Sequence, residues 1–322
     1  MKHLAWNYRG LGNPRTVREL HLMVKEKCPN VVFLSETKCR RKRIELTRDK
    51  LSFDHCFSVD SIGRSGGIAI FWKREIEAEL DSYSHNHISI SASSNIPSKK
   101  RTVTGFYGQP TTAKRSASWD LLRLIHSRTH NPWLCMGDFN EIMFQDEYFG
   151  SNTRPFKQME EFRLALSDCG LMDIGFGGSK FTWCNKREGF EFTKCGLDRA
   201  LVNDEWLNLF YSNQVLVLPG QCSDHNPLFI NCFNSAQVKA PKHKIFRYEV
   251  AWGKREGCTE LIKAAWLQKP PQASKLDFTR EGLNVCRDKL KIWSKEAFRQ
   301  QKRLLYQKRE QLRLLQVQFW SV

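Results

Sequence analysis

Residues 132–142 read PWLCMGDFNEI. The run from Trp133 to Met136 is continuously apolar, as in a strand buried on both faces, yet Gly137 stops it and Asp138, Phe139 and Asn140 follow at once. Gly, Asp and Asn are ordinary turn residues that let a strand end at the surface. The end of a buried strand is also a rigid place from which to present a carboxylate and an amide to a reacting group. The stretch alone leaves both readings open.

The neighbouring runs separate them. LAW meets Asn7, VVFLS meets Glu36, TGF meets Tyr107, WLCMG meets Asp138, and QCSDH brings Asp224 and His225 just ahead of the last apolar run, PLFINCF. Strands must end somewhere, and chance supplies one or two such meetings. Five fit side chains converging at one end of packed sheets, where active sites form. Between these runs lie helical stretches: NPRTVRELHLMVKEKC with Asn13 placed as N-cap and Pro14 at the first helical position, residues 113–127, and FKQMEEFRLALSDC. A hairpin turn at Gly66-Gly67 leads into IAIFW, HISISAS alternates at period two, and TVTGFYG, KFTWCN and GLDRALV read as further strands. The alternation predicts an α/β or α+β layered domain through about residue 234.

Residues 235–241 are polar and proline-bearing, as in a linker, and the character then changes. Formal net charge over the chain is +17, and residues 242–322 hold 19 Lys/Arg against 8 Asp/Glu, a surplus of 11. From Glu281 to Gln316 there is no proline, and Leu290, Trp293, Ala297, Leu304, Leu305, Leu312 and Leu315 recur at helical spacing beside basic residues. This predicts a basic helical tail, which either seeks a partner or is merely solvated. The charge favours a polyanionic partner, DNA first and RNA as a second candidate for the tail, over a membrane. No stretch approaches the ~18 consecutive apolar residues of a spanning helix. The eleven cysteines show no C-x-x-C pair and several sit in apolar runs, which suits reduced thiols in a nuclear or cytoplasmic compartment.

Asn7, Glu36 and Asp224 are hard oxygen donors that suit Mg²⁺, with Mn²⁺ as an alternative, rather than Zn²⁺. A hard divalent ion beside a polyanion suggests phosphodiester hydrolysis. Asp138 would take a proton from water, Asn140 would hold the water or phosphate, and Tyr107 would offer a hydroxyl. A protonated His225 would steady the phosphate if a carboxylate supports it, and Asp198 in GLDRAL is the candidate. No G-x-x-x-x-G-K-[ST] loop is present, which disfavours P-loop triphosphate hydrolysis.

In order along residues 1–234, AWNYRGLGNP, FLSETK, GFYG, GDFNEI, FTWCN, LDRALVN and SDHNPL closely resemble the endonuclease/exonuclease/phosphatase superfamily, DNase I-like, and within it the apurinic-type endonuclease domain of plant LINE-type retrotransposons. The resemblance implies a four-layer α/β sandwich of two packed sheets flanked by helices, with the site where the sheets open at one edge. It implies a Mg²⁺-dependent enzyme that nicks DNA, with Asn7, Glu36 and Asp224 at the metal and Tyr107, Asp138, Asn140, Asp198 and His225 catalytic. Arg9, Thr182 and Ser223 are expected on the substrate side. The absence of an F/Y-x-D-D motif makes the chain resemble an element copy truncated before its reverse transcriptase. Tyr8 and Gly196 depart from the family pattern, the latter where a basic residue usually precedes LDR. A catalytically silent nucleic-acid-binding remnant and a phosphatase for small molecules are the competing readings.

Overall fold

The computed structural model describes residues 1–63, 66–93, 99–233, 248, 250–267 and 275–298, with positions 304, 307–308 and 311–312 beyond. The chain divides into two compact units, one from Met1 to Val238 and one within Lys239–Gln316. The proposed linker, residues 235–241, lies outside the described residues.

The first unit holds two six-stranded sheets. One contains β1 (Lys2–Asn7), β2 (Val31–Ser35), β3 (His55–Val59), β4 (Ile68–Trp72), β14 (Ser212–Val217) and β15 (Leu228–Phe233), in the order β14-β15-β1-β2-β4-β3. The other contains β5 (Glu77–Tyr83), β6 (His87–Ser93), β7 (Arg101–Tyr107), β8 (Trp133–Asp138), β10 (Met172–Asp173) and β13 (Asp198–Val202), in the order β10-β13-β8-β7-β6-β5. A small third sheet joins β9 (Tyr148–Phe149), β11 (Trp183–Cys184) and β12 (Lys194–Cys195). Helices α1 (Pro14–Lys27), α2 (Arg41–Leu51), α3 (Ser116–Arg128), α4 (Phe156–Asp168) and α5 (Asp204–Leu209) complete the unit. The fold is the four-layer α/β sandwich that the sequence implies.

Local chemistry explains the crossovers. Asn13 accepts a hydrogen bond from the Arg15 N–H at 3.0 Å and Pro14 opens α1, so the helix starts where two orphan donors are dealt with. The helix then buries Thr16, Leu20 and Val24 and returns the chain to β2, which pairs parallel to β1. The same device recurs with α3 between β7 and β8. Among the described residues these are the two parallel pairs, one per sheet.

Alternation along each strand then decides which side chains meet between the sheets. Val31 and Phe33 of β2, Val103 of β7, Leu134 and Met136 of β8, Ala200 and Val202 of β13, and Ala5 of β1 share one inter-sheet cluster. Their neighbours Leu4, Trp6, Val32 and Leu34 pack with residues of α1 and α2, while Phe106, Trp133 and Cys135 pack with Trp119 and Phe162 of α3 and α4. The HISISAS alternation has a different outcome from the half-exposed strand its pattern suggests. Ser89 and Ser91 are buried too; Thr104 bonds Ser89 (2.8 Å) and the Trp133 indole (2.9 Å), which accounts for Ser89 on the covered outer face.

Where Phe33 crosses the sheet interface, the facing strands carry glycine. A Cβ at Gly105 would fall 2.0 Å from the Phe33 ring, and one at Gly137 would fall 3.1 Å from that ring and 2.1 Å from the Phe106 carbonyl oxygen. The ring fills the space a side chain at 105 would need, while at Gly137, with φ 142°, the Phe106 carbonyl of the adjacent strand is the nearer obstacle.

The second unit contains α6 (Cys258–Leu267) and α7 (Lys275–Ala297), so the tail helix begins earlier than Glu281. Cys258, Ala265, Cys286 and Leu290 are buried, and Trp252, Trp293 and Phe298 form an aromatic cluster with Arg255 4.5 Å over the Phe298 ring. Leu305 and Leu315 lie outside the described residues. No helix among the described residues is long and apolar enough to cross a membrane.

Gly105→Ala is expected to lower unfolding stability by about 1–3 kcal/mol through overpacking against Phe33. Urea titrations of Gly105→Ala and of the double variant Phe33→Leu/Gly105→Ala check this, since the smaller residue at 33 should return part of the loss.

Candidate active site

Both parallel pairs end at the same edge of the sandwich. Asn7 is the last residue of β1 and pairs with Ser35, which Glu36 follows; Tyr107 and Asp138 are the last residues of β7 and β8 and pair with each other. Asp198 opens the antiparallel β13 directly opposite Asp138. The side-chain alternation that buries Ala5, Phe33, Val103 and Met136 between the sheets therefore turns Asn7, Tyr107 and Asp138 inward as well. Carboxyl ends of parallel strands are where ligand sites form in α/β sheets.

The side chains bond across the gap. Asn7 Nδ2 donates to Asp138 Oδ2 at 2.8 Å and to Glu36 Oε1 at 3.3 Å, and the Tyr107 hydroxyl donates to Glu36 Oε1 at 2.9 Å. Asn140 donates its backbone N–H to Asp138 Oδ1 at 2.8 Å and its amide to Asp138 Oδ2 at 3.2 Å and Gly108 O at 2.9 Å. His225 Nδ1 lies 2.8 Å from Asp198 Oδ2, and its Nε2 lies 3.7 Å from Asp138 Oδ2. All five residues predicted as catalytic and all three predicted as metal ligands thus occupy one region. Four non-glycine residues around it have positive φ: Arg9 (48°), Glu36 (50°), Lys38 (52°) and Asn140 (55°). Asn accepts this conformation readily, whereas the others carry strain of about 1 kcal/mol or more each.

Burial raises the Asp138 carboxyl, and Asp198 raises it further against the lowering effect of His225 and the Asn7 amide. For His225 burial lowers the pKa, but the carboxylates of Asp198 and Asp138 outweigh it and the ring is raised to about 9. Burial and the Glu36 charge hold the Tyr107 phenol protonated. The result is an imidazolium clasped between two carboxylates, with a neutral phenol on the far side.

Two residues expected on the substrate side are buried and bonded to backbone. Thr182 is fully buried, and its hydroxyl accepts from the backbone N–H groups of Leu197 (3.0 Å) and Asp198 (2.9 Å) while its carbonyl accepts from Asn226 N–H. Ser223 is also buried, donating to Asn7 O at 2.8 Å and accepting from His225 N–H at 3.1 Å. Both turn inward because they tie the SDH turn and the Asp198 strand end to the rest of the site. Arg9 does stand at the rim, its side chain 48% exposed.

Residues that sequence reasoning did not single out complete the frame. The Trp183 indole donates to Asp224 Oδ2 at 2.8 Å, the Trp6 indole donates to His225 O at 2.9 Å, and Glu19 accepts from Gln221 and Cys222 N–H at 2.7 and 3.0 Å. Gly196 needs no basic replacement to be explained: a Cβ there would fall 2.6 Å from the Lys180 carbonyl oxygen. Tyr8 packs edge-on against Trp6 at 4.7 Å, beneath the site.

Two groups of atoms suit a cation differently. Asp138, Asp198 and His225 bring ligand atoms within 4.8 Å of one another. They are all buried and His225 Nδ1 is committed to Asp198, so this cluster holds a proton. By contrast, Asn7 Oδ1 is buried with no hydrogen-bond partner among the described residues, and the Arg9 cation already lies between Glu36 and Asp224. An oxygen-only donor set of this kind fits a hard divalent ion.

A family model described as "Endonuclease/Exonuclease/phosphatase family" matches residues 4–225. Among solved structures, an AP endonuclease from Archaeoglobus fulgidus is 16% identical over 72% of this chain and 99% of that one, with a TM-score of 0.58. The endonuclease domain of TRAS1, a telomere-specific non-LTR retrotransposon, is 14% identical over 72% and 97%, with a TM-score of 0.55. The 3′ phosphatase NExo from Neisseria, bound to a product DNA hairpin, is 17% identical over 72% and 99%, also at 0.55. At these identities the likeness is one of fold. A search of curated proteins gave no match.

The His225 ring should titrate near pH 9 in chelator, well above its ordinary 6.5, and the stability that this raised pKa contributes is complete below about pH 6.5 and lost as pH rises through about 9. Asp198→Asn should lower the titration, since burial then acts with less opposition. Following the imidazole Cε1 proton by NMR across pH 5–10 tests both statements.

Proposed function

The chain belongs to the endonuclease/exonuclease/phosphatase family, and from that premise we propose that it is a divalent-metal-dependent endonuclease that nicks DNA, of the kind LINE-type retrotransposons use. The observation that carries the reading is the placement of Asp138 and Asn140 against the Asp198–His225 pair, beside Asn7, Glu36 and Asp224.

In this mechanism Asp138, raised by burial toward neutrality, accepts the proton of a water molecule as the water oxygen bonds to phosphorus and the bond to the 3′ oxygen breaks, the departing 3′ oxygen taking a proton from solvent. Asn140 fixes the Asp138 carboxylate through two hydrogen bonds, so the base meets the water in one orientation. His225, kept charged by Asp198, donates from Nε2 to a phosphate oxygen as negative charge builds there. The Tyr107 hydroxyl, protonated at neutral pH, offers a second donor. Asn7, Glu36 and Asp224 would hold Mg²⁺, with Mn²⁺ as an alternative; a bound divalent ion offsets charge on the phosphate and polarises its oxygens.

The net charge of +17 supports DNA as substrate, as does the product DNA hairpin held by one protein of this fold. The LINE-type assignment rests on the ordered motif string from AWNYRGLGNP to SDHNPL and on the likeness of fold to a retrotransposon endonuclease domain. We assign the chemistry to residues 1–234 and nucleic-acid affinity, for DNA or RNA, to residues 242–322, where the basic surplus is concentrated.

Purified protein should convert supercoiled plasmid to open circles with Mg²⁺ and not with chelator. Asp138→Asn and His225→Ala should each lower the nicking rate by ~100-fold or more while leaving the circular dichroism spectrum unchanged. Nicking that survives both substitutions would defeat the assignment.

A further inference from the structure

Arg9 stands two residues beyond β1 and is one of the strained positions, with φ 48°. Its Nη1 lies 2.8 Å from Asp224 Oδ2 and its Nε 3.6 Å from Glu36 Oε2. Those carboxylates are 12% and 14% exposed, so neither is well solvated, whereas the Arg9 side chain is 48% exposed. Lys38 Nζ approaches the same Glu36 oxygen at 3.5 Å. Two carboxylates brought together with little water repel unless a positive charge lies between them. A planar guanidinium with several donors can serve two carboxylates at once, which a single ammonium does less well.

We infer that Arg9 is a resident counter-cation standing where the divalent ion goes. It holds Glu36 and Asp224 together in the free protein and must leave when the ion arrives. A dication and a guanidinium cannot share the gap, because they would repel each other while competing for the same oxygens. The displaced guanidinium stays tethered at the rim, half exposed, and is then free to pair with a substrate phosphate, for which its fork of donors is suited. The ion's arrival thus creates a phosphate contact as well as a metal centre, and substrate binding and metal binding are coupled through one side chain. This inference rests on the metal reading given above and concerns a residue that the resemblance placed only on the substrate side.

The test is Mn²⁺ binding to the full chain without DNA, followed by isothermal titration calorimetry, with melting temperatures measured in chelator and in excess Mn²⁺. Arg9→Gln should bind Mn²⁺ about tenfold more tightly than wild type, the change produced by losing one competing ion pair that is partly shielded from water. It should melt below wild type in chelator, where Glu36 and Asp224 lose their counter-charge, and the deficit should close in Mn²⁺. Arg9→Lys, which keeps the charge but not the fork, should fall between the two. Equal or weaker Mn²⁺ binding by Arg9→Gln would overturn the inference and leave the metal reading standing. Absence of Mn²⁺ binding in both wild type and Arg9→Gln would overturn the metal reading along with it.

Discussion

The Phe33 ring sets how closely the two sheets approach at the site edge. Face-to-face sheets ordinarily sit about 10 Å apart, a distance set by interleaved side chains. Here the strand opposite Phe33 offers Gly105, and the ring occupies the room its Cβ would take, while Gly137 of the next strand lets the ring come close as well. Tyr107 lies two residues beyond Gly105 on the same face, and Asp138 lies immediately beyond Gly137. The short contacts from Asn7 to Asp138 and from Tyr107 to Glu36, each spanning the two sheets, depend on that spacing. A bulkier residue at 105 would wedge the layers apart where these bonds form. The core and the site are therefore one problem in packing.

A second level of fixation works from behind. Glu141 is wholly buried and paired with Arg115 at 2.5 Å and Arg154 at 3.1 Å, which holds the chain just after Asn140. Arg199, also buried, pairs with Asp173 at 2.7 Å and with Glu147 and so holds the chain just after Asp198. Buried pairs of this kind add little net stability but are costly to break singly. Their value lies in placing Asn140 and Asp198 on backbone that cannot drift.

Much of this was legible in the sequence. Asn7, Tyr107 and Asp138 end strands, Asp198 begins one, and Glu36, Asn140, Asp224 and His225 lie within four residues of a strand end, so period-two alternation and the turn residues beside each apolar run locate them. Asn13 and Pro14 likewise announce α1. The pattern failed where charge or exposure hides a core face. Helix α2, RKRIELTRDKL, buries only Ile44, Thr47 and Leu51, and β14 has a single fully buried residue, Val215. It failed also for contacts remote in sequence. Trp183 bonds Asp224 across 41 positions, and no local signal reports that. The backbone bonds of Thr182 and Ser223 were likewise not legible, since a hydroxyl near a strand end can face outward or bind backbone, and spacing does not distinguish the two.

The strained backbone at Arg9, Glu36, Lys38 and Asn140 bears on how such a protein ages in a genome. Strain of this sort persists only while something rewards it. In a lineage no longer under selection, exchanging Lys38 for glycine would relieve the backbone there while the pairing of Arg9 with Glu36 and Asp224 stays in place. Decay would then begin with a change that makes the protein sturdier. A descendant that had lost its chemistry could outlast its working ancestor as a folded object, and relics of this family need not be ruins.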